Sequence, residues 1–195
     1  MAIERKHYEN YWQKGVHPDF LRSKDQLEHP ARKRIAEEAK KAGNSVLDVG
    51  CGSCVDYPRF KEAGMSYTGI DITEKFIEWA KKLYPEIDAR VATAYDLPVP
   101  DGSYDTVYCK DLLEHLQPDG YKKALREMWR ATRKLMMIAF YVPPRNKPTL
   151  YNLTSMGVYE NWYNAQELEN FIRSLGNFNG LKIEMGRHLY LARKK

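Results

Sequence analysis

Residues 46–54 read Val-Leu-Asp-Val-Gly-Cys-Gly-Ser-Cys. Val46, Leu47 and Val49 make a short apolar run of the kind that forms a buried strand, and it breaks at Gly50 and Gly52 before a helix-like segment resumes near Val55. A strand that stops at closely spaced glycines lets a ligand approach the backbone, because no Cβ stands in the way. N–H groups at the start of the next helix would favour an anionic group, and Asp48 would accept from a cationic one. A ligand carrying both charges close together, such as an amino-acid head group, suits this corner. The Gly-x-Gly-x-x-Gly pattern of nicotinamide and flavin folds fails here, because Val55 occupies the third glycine position. Cys51 and Cys54 also form Cys-x-x-Cys, a spacing that near a βαβ unit can signal redox chemistry.

Working outward, strand and helix signals alternate through most of the chain, which predicts an α/β fold: a mostly parallel sheet with helices on both faces. A helix is expected over 28–42, stopping at Gly43-Asn44. The first strand covers 45–49 and its helix about 55–63. The second strand, 66–70, ends at Asp71, with Thr73 capping a helix to about Tyr84. Strands follow near 87–92, 104–109 and 135–141, with a short helical segment at 112–116 and a helix at 119–133 between the last two. Residues 142–163 make an irregular stretch longer than most connections, and such loops are often functional. Asn164 caps a helix to about Leu175. Strands near 180–186 and 188–193 lie close enough to pair as an antiparallel hairpin closing the sheet.

With the strands placed, the chain resembles the class I S-adenosylmethionine-dependent methyltransferases, of the small-molecule type that includes the ubiquinone-pathway enzymes. The similarity runs over roughly residues 30–195. It rests on the glycine loop from Asp48 to Cys54, where Cys54 replaces the family's last glycine, and on Asp71, 21 residues beyond Gly50. It continues in Ala94-Tyr95-Asp96-Leu97-Pro98 with Pro100-Asp101-Gly102-Ser103-Tyr104-Asp105, and in Cys109-Lys110-Asp111-Leu112-Leu113-Glu114-His115-Leu116. The resemblance implies a Rossmann-like seven-stranded sheet with an antiparallel C-terminal strand. It implies S-adenosylmethionine as methyl donor, leaving as S-adenosylhomocysteine. The donor contacts it implies are Asp48, Gly50, Cys51, Gly52, Asp71, Ile72, Ala94, Tyr95 and Lys110. Asp71 would hold the ribose hydroxyls. Thr93 stands where the family has an adenine-reading acid, so adenine recognition passes to backbone near Ala94 and Tyr95.

Transfer to a hydroxyl needs a base of near-neutral pKa, and His115 is the candidate. Asp111, Glu114 and His115 fall at i, i+3 and i+4, one face if the segment is helical. They resemble the metal site of ubiquinone-pathway O-methyltransferases. A metal-free site is the preferred expectation and Mg²⁺ on those three residues the alternative. Cys51, Cys54, Cys109 and His115 form a weaker soft-ligand set suited to zinc. Acceptor contacts are expected from an N-terminal cap segment, residues 1–30, through Tyr11 and Trp12, and from the 142–163 loop through Arg145, Tyr159 and Trp162. Tyr108 and Tyr141 are expected in the core.

A chain of 195 residues with 43% hydrophobic and 29% charged content predicts one globular domain over 1–195. Its net charge of +5 is spread over helical segments interleaved with Glu, the pattern of a solvated face, so nucleic acid is disfavoured as a partner. The Asn/Asp-Pro-Pro-Tyr/Phe stretch of DNA amine methyltransferases does not follow the fourth strand, where Lys-Asp-Leu-Leu stands instead. Three cysteines, no apolar run of membrane-spanning length and no signal-like start point to a cytoplasmic protein. The sequence leaves the oligomeric state open. Transfer to oxygen or nitrogen of a small molecule is the expected reaction. A non-catalytic donor-binding sensor and an RNA or protein methyltransferase are the alternatives.

Overall fold

The computed structural model describes residues 30–195. Helix α1 (Pro30–Ala42) leads into β1 (Ser45–Val49), α2 (Tyr57–Glu62), β2 (Ser66–Asp71), α3 (Glu74–Leu83) and β3 (Asp88–Val91). After these come β4 (Tyr104–Lys110), a 3₁₀ turn (Leu113–His115), α4 (Gly120–Ala131), β5 (Thr132–Ala139), α5 (Ala165–Arg173), β6 (Phe178–Glu184) and β7 (Leu189–Lys194). The sheet has seven strands in the order β3-β2-β1-β4-β5-β7-β6. The first five pair in parallel, whereas β7 runs antiparallel to both β5 and β6. This is the expected Rossmann-like architecture with its antiparallel C-terminal pair.

Alternation along the central strands builds two cores. Leu47, Val49, Val107, Cys109, Met136 and Ile138 face one side, where Tyr121, Leu125 and Met128 of α4 and Leu168 and Ile172 of α5 cover them. Val46, Tyr108, Leu135 and Met137 face the other side, under Ile35 and Ala39 of α1, Phe60 of α2 and Ile77 and Ala80 of α3. Each fully buried aliphatic or aromatic side chain contributes about 1.5–3 kcal/mol. Because β1 and β4 are neighbours, the connections leaving them run in opposite directions, and a crevice opens at their carboxyl ends.

Among the boundaries that differ from the sequence expectation, two have a clear local cause. Strand β5 starts at Thr132 rather than 135, because the exposed Arg133 and Lys134 read as a helix end. In the fold both side chains pair with Asp105 on the neighbouring β4 while their backbone is extended. Helix α2 starts at Tyr57, two residues late, because Cys54 takes a left-handed conformation at φ 56° and holds the chain in a turn. Asn164 caps α5 as expected, its side chain accepting from the Glu167 amide.

Gly69 in β2 shows how tightly the glycine loop packs on the sheet. A Cβ there would lie 2.9 Å from Cys51 Sγ, 3.0 Å from Cys54 Sγ and 3.2 Å from the Tyr67 ring. Gly69→Ala is therefore expected to lower stability by about 1–3 kcal/mol through overpacking, read as a lower urea midpoint. A midpoint equal to wild type would show that the thiols yield without cost.

Candidate active site

A cavity of about 600 Å³ opens at the carboxyl ends of the central strands, within the usual size of a small-molecule site. Its wall takes Asp48, Gly50, Cys51 and Gly52 from the glycine loop, Asp71 and Ile72 from the end of β2, Thr93, Ala94 and Tyr95 after β3, and Lys110, Glu114 and His115 after β4. The nine residues expected at the donor site and His115 thus share one crevice.

The loop is sealed onto β2. The Gly50 and Cys51 amides both donate to the Ile70 carbonyl, at 2.7 and 3.0 Å. The Gly52 amide donates to Asp71 Oδ2 at 2.9 Å, and Thr73 N donates to Oδ1 at 2.8 Å. A carboxylate oxygen has room for a second donor, so Asp71, half-buried at the wall, is held in place with acceptor capacity to spare. Burial pushes its carboxyl up, and the amide donors offset part of that rise.

The amides of 50, 51 and 52 are thereby committed to β2. The guanidinium on the cavity wall belongs to Arg32 of α1, a buried residue that no sequence motif marks. Arg32 Nη1 donates to Asp56 Oδ2 at 2.5 Å, and Tyr108 Oη lies 2.8 Å from that same oxygen and 3.0 Å from Asp48 Oδ2. Tyr67 Oη donates to Asp48 Oδ2 at 2.6 Å. A single phenolic proton cannot serve both Asp48 and Asp56, so the Tyr67–Asp48–Tyr108–Asp56–Arg32 chain has room for one more. It resides on Asp48, whose carboxyl is pushed up to about 8 by burial and then by the Asp56 charge. Asp48 is therefore a buried, internally bonded group rather than an open acceptor at the strand tip.

Residues 46–134 match the family described as "Methyltransferase domain". The 27-O-demethylrifamycin SV methyltransferase of Amycolatopsis mediterranei is 30% identical over 134 residues, covering 63% of this chain and 48% of that protein. The ubiquinone biosynthesis O-methyltransferase of Thiobacillus denitrificans is 35% identical over 97 residues, covering 47% of this chain and 41% of that protein. Among solved structures, the Burkholderia thailandensis 1,6-didemethyltoxoflavin-N1-methyltransferase matches with TM-score 0.72 at 18% identity, over 100% of this chain and 88% of that one. Residues 46–134 thus match a methyltransferase domain, and the described chain shares the fold of that solved structure. The chain aligns with less than half the length of the two curated relatives.

Across the cavity, His115 is held by a contact no motif announces. Nδ1 of His115 lies 2.8 Å from the Tyr159 carbonyl. A carbonyl can only accept, so Nδ1 carries a proton. The 142–163 loop lines the cavity through Val142, Glu160, Asn161 and Trp162. It is pinned by Asn161 N to the Glu114 carbonyl, Asn161 Nδ2 to the Leu116 carbonyl at 2.6 Å, and Tyr163 Oη to the Leu113 carbonyl at 2.5 Å. Arg145 lies off this wall, its guanidinium 4.6 Å over the Trp162 ring, and Tyr159 contributes its backbone rather than its ring. Tyr141, expected in the core, is 75% exposed and lines the cavity. Tyr108 is buried as expected. Tyr11 and Trp12 lie outside the described residues.

The single helical face expected for Asp111, Glu114 and His115 does not form. Asp111 is left-handed at φ 54° and precedes a 3₁₀ turn of three residues. Its Oδ2 pairs with Lys110 Nζ, and Glu114 Oε1 accepts from Tyr141 N. No group of three potential ligands gathers among the described residues, for magnesium or for zinc. Cys109 packs in the opposite core from Cys51 and Cys54.

Burial, then the Asp111 charge, pushes Glu114 up to about 8, and its buried Oε2 has no hydrogen-bond partner among the described residues. Raised folded pKa values mean that the native state keeps protons on Asp48 and Glu114 that the unfolded chain releases. Their stabilisation is full below the ordinary carboxylate range and is lost as pH rises through about 8. Glu114→Gln should leave a shallower fall in melting temperature between about pH 5 and about pH 8 than wild type shows. An unchanged pH slope would mean that Glu114 is already ionised in the native state.

Proposed function

We propose that this protein is a class I methyltransferase that binds S-adenosylmethionine in the cavity and transfers its methyl group to oxygen or nitrogen of a small organic acceptor. The observation that carries the donor assignment is Asp71, fixed by two backbone amides at the cavity edge with lone pairs left for the two ribose hydroxyls. The rest of the wall fits the same molecule. Ile72, Phe76 and Leu116 offer apolar surface for a purine, and Thr93 to Tyr95 offer polar groups at its rim. Arg32 supplies the cation for the carboxylate, and Asp111 lies on the wall for the ammonium group.

The donor supplies a methyl group already activated by its sulfonium. What the protein adds is position: proximity and orientation of acceptor and methyl, in line with sulfur, account for most of the barrier it must lower. Tyr141 and Trp162 offer aromatic surface to a flat or apolar acceptor. With Nδ1 tied to Tyr159, the His115 ring holds Nε2 as the group that takes the acceptor's proton. The curated relatives named for O-methylation support a small-molecule acceptor.

The test separates binding from transfer. Asp71→Ala is expected to weaken S-adenosylhomocysteine binding by about tenfold or more in calorimetry. His115→Ala should leave that affinity within about threefold and slow transfer by about 10²–10⁴-fold in a labelled-donor acceptor screen. Swapped outcomes would reverse the two roles. Donor binding by wild type with no turnover on any acceptor would favour the sensor alternative.

A further inference from the structure

The Cys-x-x-Cys of the glycine loop has no task in methyl transfer, yet the fold brings its two thiols together. Cys51 Sγ and Cys54 Sγ lie 3.5 Å apart, side by side in the space left open by the missing Cβ of Gly69. Cys51 lines the cavity, whereas Cys54 is fully buried behind it. Gly52, whose amide holds Asp71, lies in the short segment between them. The left-handed backbone at Cys54 carries a Cβ in a region that favours glycine, at a cost of about 1–2 kcal/mol. A cysteine thus stands in a conformation where glycine would be cheaper, with its sulfur against a second cysteine.

We propose that Cys51 and Cys54 are a modification site, forming a reversible disulfide that lowers the affinity of the cavity for its nucleoside ligand. Closing the pair means bringing the sulfurs from 3.5 Å to about 2.05 Å. That displacement falls on the turn that carries Gly52, so the Gly52–Asp71 bond loosens and the ribose acceptor loses its fixed position. The oxidant is a low-molecular-weight disulfide small enough to enter the cavity. The Cys51 thiolate attacks one of its sulfurs, the S–S bond breaks, and one small thiolate leaves. Cys54 then gives its proton to that thiolate or to water and attacks the Cys51 sulfur, releasing the second small thiol. Two protein thiols are oxidised by two electrons and one small disulfide is reduced to two thiols. Burial pushes the Cys51 thiol up, so exchange is slow at neutral pH and accelerates in alkali.

The experiment treats the full chain with bis(2-hydroxyethyl) disulfide, with and without S-adenosylhomocysteine, and follows intact mass, peptide mapping and calorimetric affinity. The expected result is loss of two hydrogens, a bond mapped to Cys51–Cys54, and affinity for S-adenosylhomocysteine lowered by about tenfold or more. Dithiothreitol restores that affinity, and prior occupation of the cavity slows the oxidation. Cys54→Ser stops at a mixed adduct on Cys51. No intramolecular disulfide in wild type even in alkali, or a disulfide that leaves affinity unchanged, overturns the proposal. The affinity arm rests on the donor-binding reading above. Reduced protein that fails to bind S-adenosylhomocysteine would sink that reading, while mass and mapping still decide whether the bond forms.

Discussion

Three backbone amides set the terms for the rest of the site. Gly50 N and Cys51 N converge on the Ile70 carbonyl, and Gly52 N takes the Asp71 carboxyl. Positive φ at Gly50 and Gly52, 75° and 53°, lets the chain turn sharply enough to make these bonds. Once made, they hold Asp71 at the crevice and press the two cysteines onto Gly69. The guanidinium on the cavity wall comes from a helix distant in sequence, through Arg32, and Asp56 at 2.5 Å offsets the cost of burying it.

The second half of the site depends on a different device. The 3₁₀ turn at Leu113–His115 is too short to orient a ring by itself, and the long loop supplies what it lacks. Asn161 and Tyr163 dock on the carbonyls of Leu113, Glu114 and Leu116, and the Tyr159 carbonyl holds the histidine Nδ1. Leu150 pairs with Trp162 and Leu153 with Tyr159 as isolated antiparallel bridges, so the loop folds back on itself with Gly157 at φ 80° in its tip. It is thus an ordered wall whose backbone is the working surface.

This explains which parts were legible in the sequence. Strand and helix periodicity gave the sheet, because parallel central strands must be apolar on both faces and the helices between them must carry one apolar stripe. The β2 acid and the glycine loop were legible because their spacing reports a turn of fixed length. What the pattern could not carry were contacts made by backbone or between distant segments. The expectation that Arg145 and Tyr159 would meet the acceptor by their side chains took aromatic and basic residue types as contact signals. The fold uses Arg145 against Trp162 and Tyr159 by its carbonyl. Asp48 was read as an open acceptor because a strand-tip acid usually is one; two tyrosines from β2 and β4 enclose it. Tyr141 was placed in the core because apolar neighbours precede it, but β5 ends at Ala139 and releases it.

The charges around the cavity bear on how the proposed cycle would turn over. Burial pushes the carboxyls of Asp48 and Glu114 up to about 8, and among the described residues neither is paired directly with a cation. A ligand that brings positive charge into the crevice would favour their ionised forms, and by linkage their ionisation would favour that ligand. The proposed donor carries a sulfonium that the product lacks. Both molecules share the ammonium, carboxylate and nucleoside contacts. Loss of the methyl group removes that charge, so this linkage would weaken as the product forms. Preference for the charged donor would then come from acids poised to ionise, and release of the neutral sulfide from their return to the protonated state.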